Sequence, residues 1–156
     1  MKRLRIITIV LLMMIVLLWF VPITEFLTPS TSLKDESIGP FSIGNKIDEQ
    51  LLSLYGINQK DKQPGGYGYS GDDIYIKTDY HHYIESISIS NHLETSRGIK
   101  TGNIDEDVIT AYGNNYYTYK EMGLGEAIEY KDKKQRIKLT AWTVENEVKY
   151  IWLFSY

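Results

Sequence analysis

The chain carries the stretch IDEQLLSLYG at residues 47–56 and a second version of it, IDEDVITAYG, at residues 104–113. Both versions begin with Ile-Asp-Glu and end with Tyr-Gly. Acidic side chains stabilise the positive N-terminal end of a helix, and glycine readily adopts the left-handed conformation that ends one. Each stretch is therefore predicted to form a short helix, and the two helices are predicted to begin two related units of the fold.

The apolar residues of both stretches recur at the spacing of one helical face. They are Ile47, Leu51, Leu54 and Tyr55 in the first stretch, and Ile104, Val108, Ala111 and Tyr112 in the second. We expect this face of each helix to pack on the core.

After each predicted helix, the apolar residues change to the alternation that is typical of β-strands. Strands are expected at residues 73–78, 83–90, 126–131, 135–143 and 148–155. We therefore predict an α+β domain made of two tandem repeats of a short helix plus antiparallel sheet, packed as one domain. Repeat 1, a helix plus hairpin, would span residues 38–94, and repeat 2, a helix plus meander, would span residues 95–156.

The N-terminal region is long and apolar enough to cross a bilayer. Residues 4–23 are apolar except for Arg5 and Thr8, and about 20 such residues span the hydrocarbon core. Because Lys2, Arg3 and Arg5 lie at the start of this run, the N-terminus is expected to stay in the cytoplasm.

These features predict a single-pass protein of the cell membrane, with its C-terminal domain outside the cytoplasm. Residues 1–27 would form a transmembrane signal-anchor that contacts the lipid bilayer through residues 4–23. Residues 28–37 would form a polar stalk. The alternative is a cleaved secretory signal, which would also export the domain.

The composition argues against several kinds of site. The chain has no cysteine, which excludes disulfides, thiol catalysis and thiolate metal sites. Its formal net charge of −3 at pH 7 argues against binding nucleic acid by charge. His81 and His82 are adjacent and would point apart on a strand or turn, so one metal ion would rarely bind both. No serine lies in a glycine elbow of the kind that marks a nucleophile, and we expect no catalytic residues.

Two further patterns resemble ligand sites but lack the required context. The stretch GYGYSG at residues 66–71 matches a dinucleotide-binding pattern, but no strand precedes it and no helix follows, so we expect a flexible loop. Asn103, Asp105 and Asp107 have the spacing that opens a calcium loop, but Val108 stands where the loop requires glycine. We therefore expect neither a cofactor nor a metal ion.

The duplicated pattern resembles that of a known group of binding proteins. A short helix with an acidic first turn, closed by Tyr-Gly and followed by a meander, occurs twice between Gly39 and Tyr156. In this respect the chain is similar to β-lactamase-inhibitor-protein-like domains and to related small lipoproteins of envelope assembly. The resemblance implies a non-catalytic scaffold whose aromatic sheet surface binds a protein partner. The chain differs from these proteins in having no cysteine, and so has neither the disulfides of the inhibitors nor the lipid anchor of the lipoproteins.

Aromatic residues near residue 150 form the predicted partner-binding site: Trp142, Tyr150, Trp152 and Phe154. If Val148, Ile151 and Leu153 correspond to Ile84, Ile87 and Ile89 and face the core, then Tyr150, Trp152 and Phe154 face outward, because strand side chains alternate. A three-residue loop at residues 145–147 would place Trp142 opposite Tyr150 on that face. A two-residue turn at Glu145 and Asn146 would instead put the aromatic residues in the core. The repeat alignment favours the longer loop.

Exposed aromatic side chains in such a row favour binding over catalysis. The sequence therefore predicts a membrane-anchored, extracytoplasmic protein-interaction module of the inhibitor, immunity or assembly type, with a protein partner outside the cytoplasm. The alternative is a module that binds glycan or peptide of the cell wall, where Tyr and Trp would stack on sugar rings.

Overall fold

An eight-stranded antiparallel sheet forms most of the computed structural model, which describes residues 23–156. The strands are β1 (Ser37–Ile38), β2 (Phe41–Ser42), β3 (Gln59–Gln63), β4 (Gly66–Gly71), β5 (Ile74–Asp79), β6 (Ile84–Ile89), β7 (Tyr117–Glu121), β8 (Gly125–Asp132), β9 (Ile137–Val144) and β10 (Glu147–Ser155). The described helices are α1 (Ile23–Leu27), α2 (Glu49–Leu54) and α3 (Asp105–Tyr112). The first two strands pair with each other, outside the large sheet.

The prediction of an α+β fold with an N-terminal transmembrane helix is wrong. The structure is 46% strand and 13% helix, and is therefore mostly β.

The expected loop at residues 66–71 is strand β4. Its glycines are needed because a Cβ at Gly68 would meet the ring of Tyr75, and a Cβ at Gly66 would meet the carbonyl oxygen of Thr78. Because these positions must be glycine, apolar and polar residues do not alternate along β4. The sequence pattern therefore does not reveal the strand.

The sheet consists of two four-stranded meanders that meet at their last strands. Its strand order is β3-β4-β5-β6-β10-β9-β8-β7, and every neighbouring pair is antiparallel. Helix α2 precedes the first meander, and helix α3 precedes the second. Strands β6 and β10 therefore form the centre of the sheet, and β3 and β7 form its edges.

The two halves hold their central strands in the same way. Strand β6 has a β-bulge at Glu85, and β10 has one at Lys149. Ile84 and Val148, which precede the bulges, each exchange two backbone hydrogen bonds with a Gly-Asn loop ahead of the helix. The bonds are Ile84 N to Asn45 O (2.9 Å), Gly44 N to Ile84 O (2.8 Å), Val148 N to Asn103 O (2.9 Å) and Gly102 N to Val148 O (2.9 Å). Each helix is thereby attached to the centre of the sheet.

The core lies on the face of the sheet that the helices cover. Ile87 of β6 and Ile151 of β10 are fully buried there, together with Val108 of α3. The predicted apolar faces of the helices are wrong at three positions, since Leu54 is 81% exposed, Ile104 is 48% exposed and Tyr55 is 40% exposed. Helix α2 ends at Leu54 and buries Leu52 instead; Ile104 lies at the N-cap of α3, before the first helical turn.

The predicted membrane topology is corrected by the structure. No helix within residues 23–156 has the length and apolar character needed to cross a bilayer, and α1 has only five residues. This finding overturns the prediction of a single-pass protein at the cell membrane with its C-terminal domain outside. Apart from Ile23, the predicted bilayer-contacting segment at residues 4–23 lies outside the described residues.

The expected stalk lies against the sheet. The backbone N–H of Thr31 donates to the carbonyl of Lys131 (3.0 Å), and the N–H of Leu33 donates to Oδ2 of Asp132 (2.8 Å). The side chain of Leu33 is fully buried in the core. This segment therefore begins beside Lys131 of β8 and ends among the core residues.

Asp132 is the side chain that fixes this segment. Its Oδ2 accepts from Leu33 N, and its Oδ1 accepts from the N–H groups of Lys134 and Gln135. Burial raises the pKa of Asp132, but these backbone hydrogen bonds outweigh it and hold the pKa below the ordinary value.

We expect Asp132→Asn to lower the free energy of unfolding at pH 7 by about 1–3 kcal/mol, because a charged acceptor of backbone N–H groups is lost. The folded pKa lies below the unfolded one, so the stabilisation is complete above about pH 4 and is lost as the pH falls through the folded pKa. Urea unfolding of both proteins should show a smaller difference at pH 3 than at pH 7. Asp61→Asn, on the exposed edge strand β3, is the control, and a difference independent of pH would contradict the prediction.

Candidate binding face

The face of the sheet away from the helices, which we call the open face, carries a row of large aromatic side chains beside a row of serines. Along β10 the aromatic residues are Tyr150, Trp152 and Phe154. The serines are Ser86 and Ser88 of β6 and Ser90, which directly follows this strand. These residues alternate with the buried isoleucines and leucine of the same strands, as strand geometry requires. The central pairing places Trp152 opposite Ser88 and Phe154 opposite Ser86.

The hairpin between β9 and β10 decides which face the aromatic residues occupy. Glu145 and Asn146 have φ angles of 54° and 62°, and Val144 pairs with Glu147, so the turn has two residues. The bulge at Lys149 then shifts the register by one residue and places Trp142 opposite Tyr150. The prediction of a three-residue loop is therefore wrong in its length, but the pairing that it implied is present because the bulge supplies the extra residue.

The predicted site residues differ in how much surface they present. Tyr150 is 39% exposed, and Trp152 and Phe154 are half-buried. Trp142 is fully buried, because the rings of Tyr119 and Trp152 pack on it edge-on at centroid distances of 5.4 Å and 5.3 Å. Trp142 thus packs beneath the exposed aromatic side chains and presents no surface to a partner in this structure.

Because the serine side chains are much smaller than the aromatic rings beside them, a groove runs along β6. One hollow of about 510 Å³ lies between Lys77, Ser86 and Phe154. A second, of about 350 Å³, lies between Tyr75 and Tyr150. Both hollows are lined by Ser88 and Trp152. Because its walls stand on β5 and β10, the groove is about two strand spacings wide, or ~10 Å between backbones.

Polar groups are available along the floor and at the ends of the groove. The hydroxyls of Ser86 and Ser88 make no hydrogen bond within residues 23–156, whereas Ser90 Oγ donates to Asp73 Oδ1 (3.2 Å). At the other end, Lys77 Nζ and Glu85 Oε2 form an ion pair at 3.0 Å. The groove therefore combines an apolar wall with a hydrogen-bonding floor and charged ends.

A buried carboxylate lies beside the aromatic row. Glu129 is 1% exposed, although it points to the open face. Its Oε1 accepts from Tyr117 OH and lies 2.8 Å from Lys138 Nζ. Its Oε2 accepts from Tyr119 OH and Thr140 Oγ1, both at 2.8 Å. Burial, and then the neighbouring carboxylate, raises the pKa of both tyrosines.

No sequence pattern reveals this cluster, because its members come from three different strands. The alternation of β8 does place Glu129 on the same face as Ala127, but it gives no sign of burial. Since both oxygens of Glu129 are occupied by protein donors, we interpret the cluster as a structural network of the open face.

Two of the residues considered for calcium or metal binding, Asp107 and His82, are engaged within the protein. Asp107 Oδ2 accepts from Asn103 Nδ2 (2.9 Å) and from Ile104 N (3.2 Å), which caps α3. His82 stacks on Tyr67 at 4.6 Å, and its Nδ1 is 2.8 Å from Tyr69 OH. Within residues 23–156 no group of three or more potential metal-ligating side chains comes together.

Alanine substitutions at two neighbouring residues of β10 should distinguish the core face from the open face by their effect on the free energy of unfolding. Leu153→Ala empties a fully buried site in the core and should lower the free energy of unfolding by about 2–5 kcal/mol. Trp152→Ala should cost less, because the ring is half-buried and lies on the open face. Urea unfolding of the two variants measures both values. A larger loss for Trp152→Ala than for Leu153→Ala would show that the row belongs to the core.

Glu129→Gln should lower the free energy of unfolding by about 3 kcal/mol or more, because Lys138 loses its buried partner. Glu126→Gln is the matched control on the same strand: its carboxylate is 3.5 Å from Lys120 and largely solvated, so a change of no more than about 0.5 kcal/mol is expected. Chemical denaturation at pH 7 compares the two. Equal effects would mean that Glu129 is not in a buried network.

Comparison with known proteins does not assign the chain to a family. No family model matches it, and neither a curated protein nor a solved structure was found to match. Its function is therefore inferred from the open face itself.

Proposed function

We propose that this chain is a non-catalytic protein-interaction module, of the inhibitor, immunity or assembly type, and that the open face binds another protein. The observation that carries the proposal is the groove along β6, with the aromatic row of β10 as its wall. The proposal agrees with what the resemblance to β-lactamase-inhibitor-protein-like domains implies, namely a sheet surface that meets a partner.

The chemistry of the groove suits a protein partner. Trp and Tyr give a large contact area with few rotatable bonds, and they are enriched among the residues that dominate binding energy. Such residues cluster at the centre of an interface, and the row lies on β10, at the centre of the sheet. The Lys77–Glu85 ion pair at one end supplies a polar rim of the kind found around interface centres.

Binding across the face is favoured over binding at an edge. Strand β3 has the sequence QKDKQ, and its first four residues are exposed. Charged side chains on an edge strand disfavour pairing with another strand. A partner therefore gains more contact from the aromatic row than from the β3 edge of the sheet.

A cell-wall glycan is the second candidate ligand. The observation that favours it is the pair of unoccupied hydroxyls, on Ser86 and Ser88, beside the half-buried ring of Trp152. Aromatic rings stack on sugar faces while hydroxyls bind sugar oxygens.

The experiment is affinity capture with the purified full chain and two groove variants. Ser88→Arg fills the groove from its floor and Trp152→Ala removes its wall, so both should reduce binding of a captured protein at least tenfold. Leu54→Arg is the matched control, because Leu54 is 81% exposed on α2, away from the open face.

Candidates from the capture should be purified and titrated calorimetrically against all four proteins. A protein bound equally by the wild type and by both groove variants would contradict the proposal. The second candidate would be favoured if the chain is retained on purified cell-wall material, if Trp152→Ala abolishes this retention, and if no protein binds the groove.

A further inference from the structure

Two lysines of the open face converge on one carboxylate oxygen. Lys138 Nζ and Lys131 Nζ lie 2.8 Å and 3.0 Å from Oε1 of Glu25. The two lysines are cross-strand neighbours on β9 and β8, whereas Glu25 belongs to α1. The cationic side of this contact is thus part of the sheet, and the carboxylate is delivered by a separate short segment.

The lysines are held in place by groups other than Glu25. Lys138 Nζ also contacts Glu129 Oε1 (2.8 Å) and Tyr117 OH (3.0 Å), so two of its three N–H groups are engaged within the sheet. The ammonium group of Lys131 lies 4.5 Å from the centre of the Tyr156 ring. The side chains of Lys138 and Lys131 are only 14% and 18% exposed. Removing Glu25 would leave one N–H of each lysine directed at the vacated position.

The segment that delivers Glu25 is short and has an exposed apolar side. Helix α1 has five residues, which is too few to be stable by itself. The side chains of Phe26 and Leu27 do not pack on the sheet, since they are 78% and 70% exposed. Lys133 Nζ also contacts this segment, through the carbonyl oxygens of Phe26 (3.3 Å) and Thr28 (2.9 Å). The carboxylate is therefore carried by a segment that another ligand can displace.

The lysine pair is continuous with the groove. Lys138 is paired with Phe154, which lines the larger hollow. A ligand in the groove therefore ends about one strand spacing, ~5 Å, from the lysine pair. A polypeptide segment with an acidic residue next to an apolar one matches both features.

We infer that Lys131 and Lys138 form a carboxylate-binding site on the open face, in which Glu25 occupies the position of an acidic side chain of the partner. That the ligand is a protein rests on the proposed function, whereas the existence of the site does not. Glu25 then competes with the partner and must leave before the partner's carboxylate binds.

The probe is a synthetic peptide of residues 23–29, ITEFLTP, together with its analogue in which glutamine replaces Glu25. Both are titrated into the full-length Glu25→Gln protein, and binding is followed by NMR at Lys131, Lys138 and Tyr156. The glutamate peptide should bind at least tenfold more tightly than its glutamine analogue. It should bind the wild-type protein several-fold more weakly than the Glu25→Gln protein, because the native Glu25 occupies the site.

Lys131→Met in the Glu25→Gln background should remove the preference for the glutamate peptide. Lys131 is chosen because Lys138 also supports Glu129, and its replacement could unfold the sheet. Lys149→Met is the control, since that lysine pairs with Glu147 and lies away from the site. The control should keep the preference, and its amide spectrum should match that of the Lys131→Met protein elsewhere in the sheet.

Equal binding of the two peptides, or no binding of either, would overturn the inference, as would equally tight binding of inorganic phosphate at the same residues. These outcomes are separable from failure of the proposed function. A groove-dependent protein partner without the peptide preference would refute only the carboxylate site. A clear peptide preference, with no partner sensitive to Ser88→Arg, would refute only the proposed function.

Discussion

The pairing of β6 with β10 is the interaction on which the rest of the structure depends. It joins Ile87 to Leu153 and Ile89 to Ile151 on the core face. Without it, each meander would end in an unpaired strand with a row of large apolar side chains, which is the kind of edge that associates non-specifically. The same ladder also places Trp152 beside Ser88 on the open face. Core and groove are therefore two consequences of one register, because alternate residues of the same strands form them.

The two bulges keep this register compatible with the turns. A two-residue turn at Glu145 and Asn146 alone would send the aromatic residues of β10 to the core face. The extra residue at Lys149 reverses that assignment for the remainder of the strand, and Glu85 has the same position in β6. The matching hydrogen bonds from the Gly-Asn loops show that both halves hold the residue before the bulge in the same way.

Sequence reasoning succeeded where side-chain alternation was strong. The outward direction of Tyr150, Trp152 and Phe154 followed from the isoleucine pattern of the two central strands. It failed where a strand lacks alternation, as in the glycine-rich β4, and where a helix is too short to define a face, as at Leu54. The burial of Trp142 could not be predicted from the sequence. Tyr119, which covers it, comes from an edge strand that the sequence pattern did not indicate.

The network around Glu129 was also out of reach, and for a similar reason. A glutamate side chain such as that of Glu129 would normally be assigned to solvent. It is buried because Tyr117, Tyr119, Thr140 and Lys138 approach it from neighbouring strands and occupy its acceptor positions. Burying such a pair gives little net stability, since desolvation offsets the attraction. What the network provides is a fixed position for Lys138 on an otherwise open surface.

The packing of Trp152 on Trp142 has a spectroscopic consequence. The protein has three tryptophans, and these two are the ones within residues 23–156. Their ring centres are 5.3 Å apart with the planes at 65°, close enough for efficient transfer of excitation energy between them. Trp142 is shielded from water, whereas Trp152 borders the groove. Light absorbed by the enclosed indole should therefore pass to the one beside the groove. In a fragment that lacks Trp19, we expect the emission wavelength to depend on whether water or a ligand fills that groove.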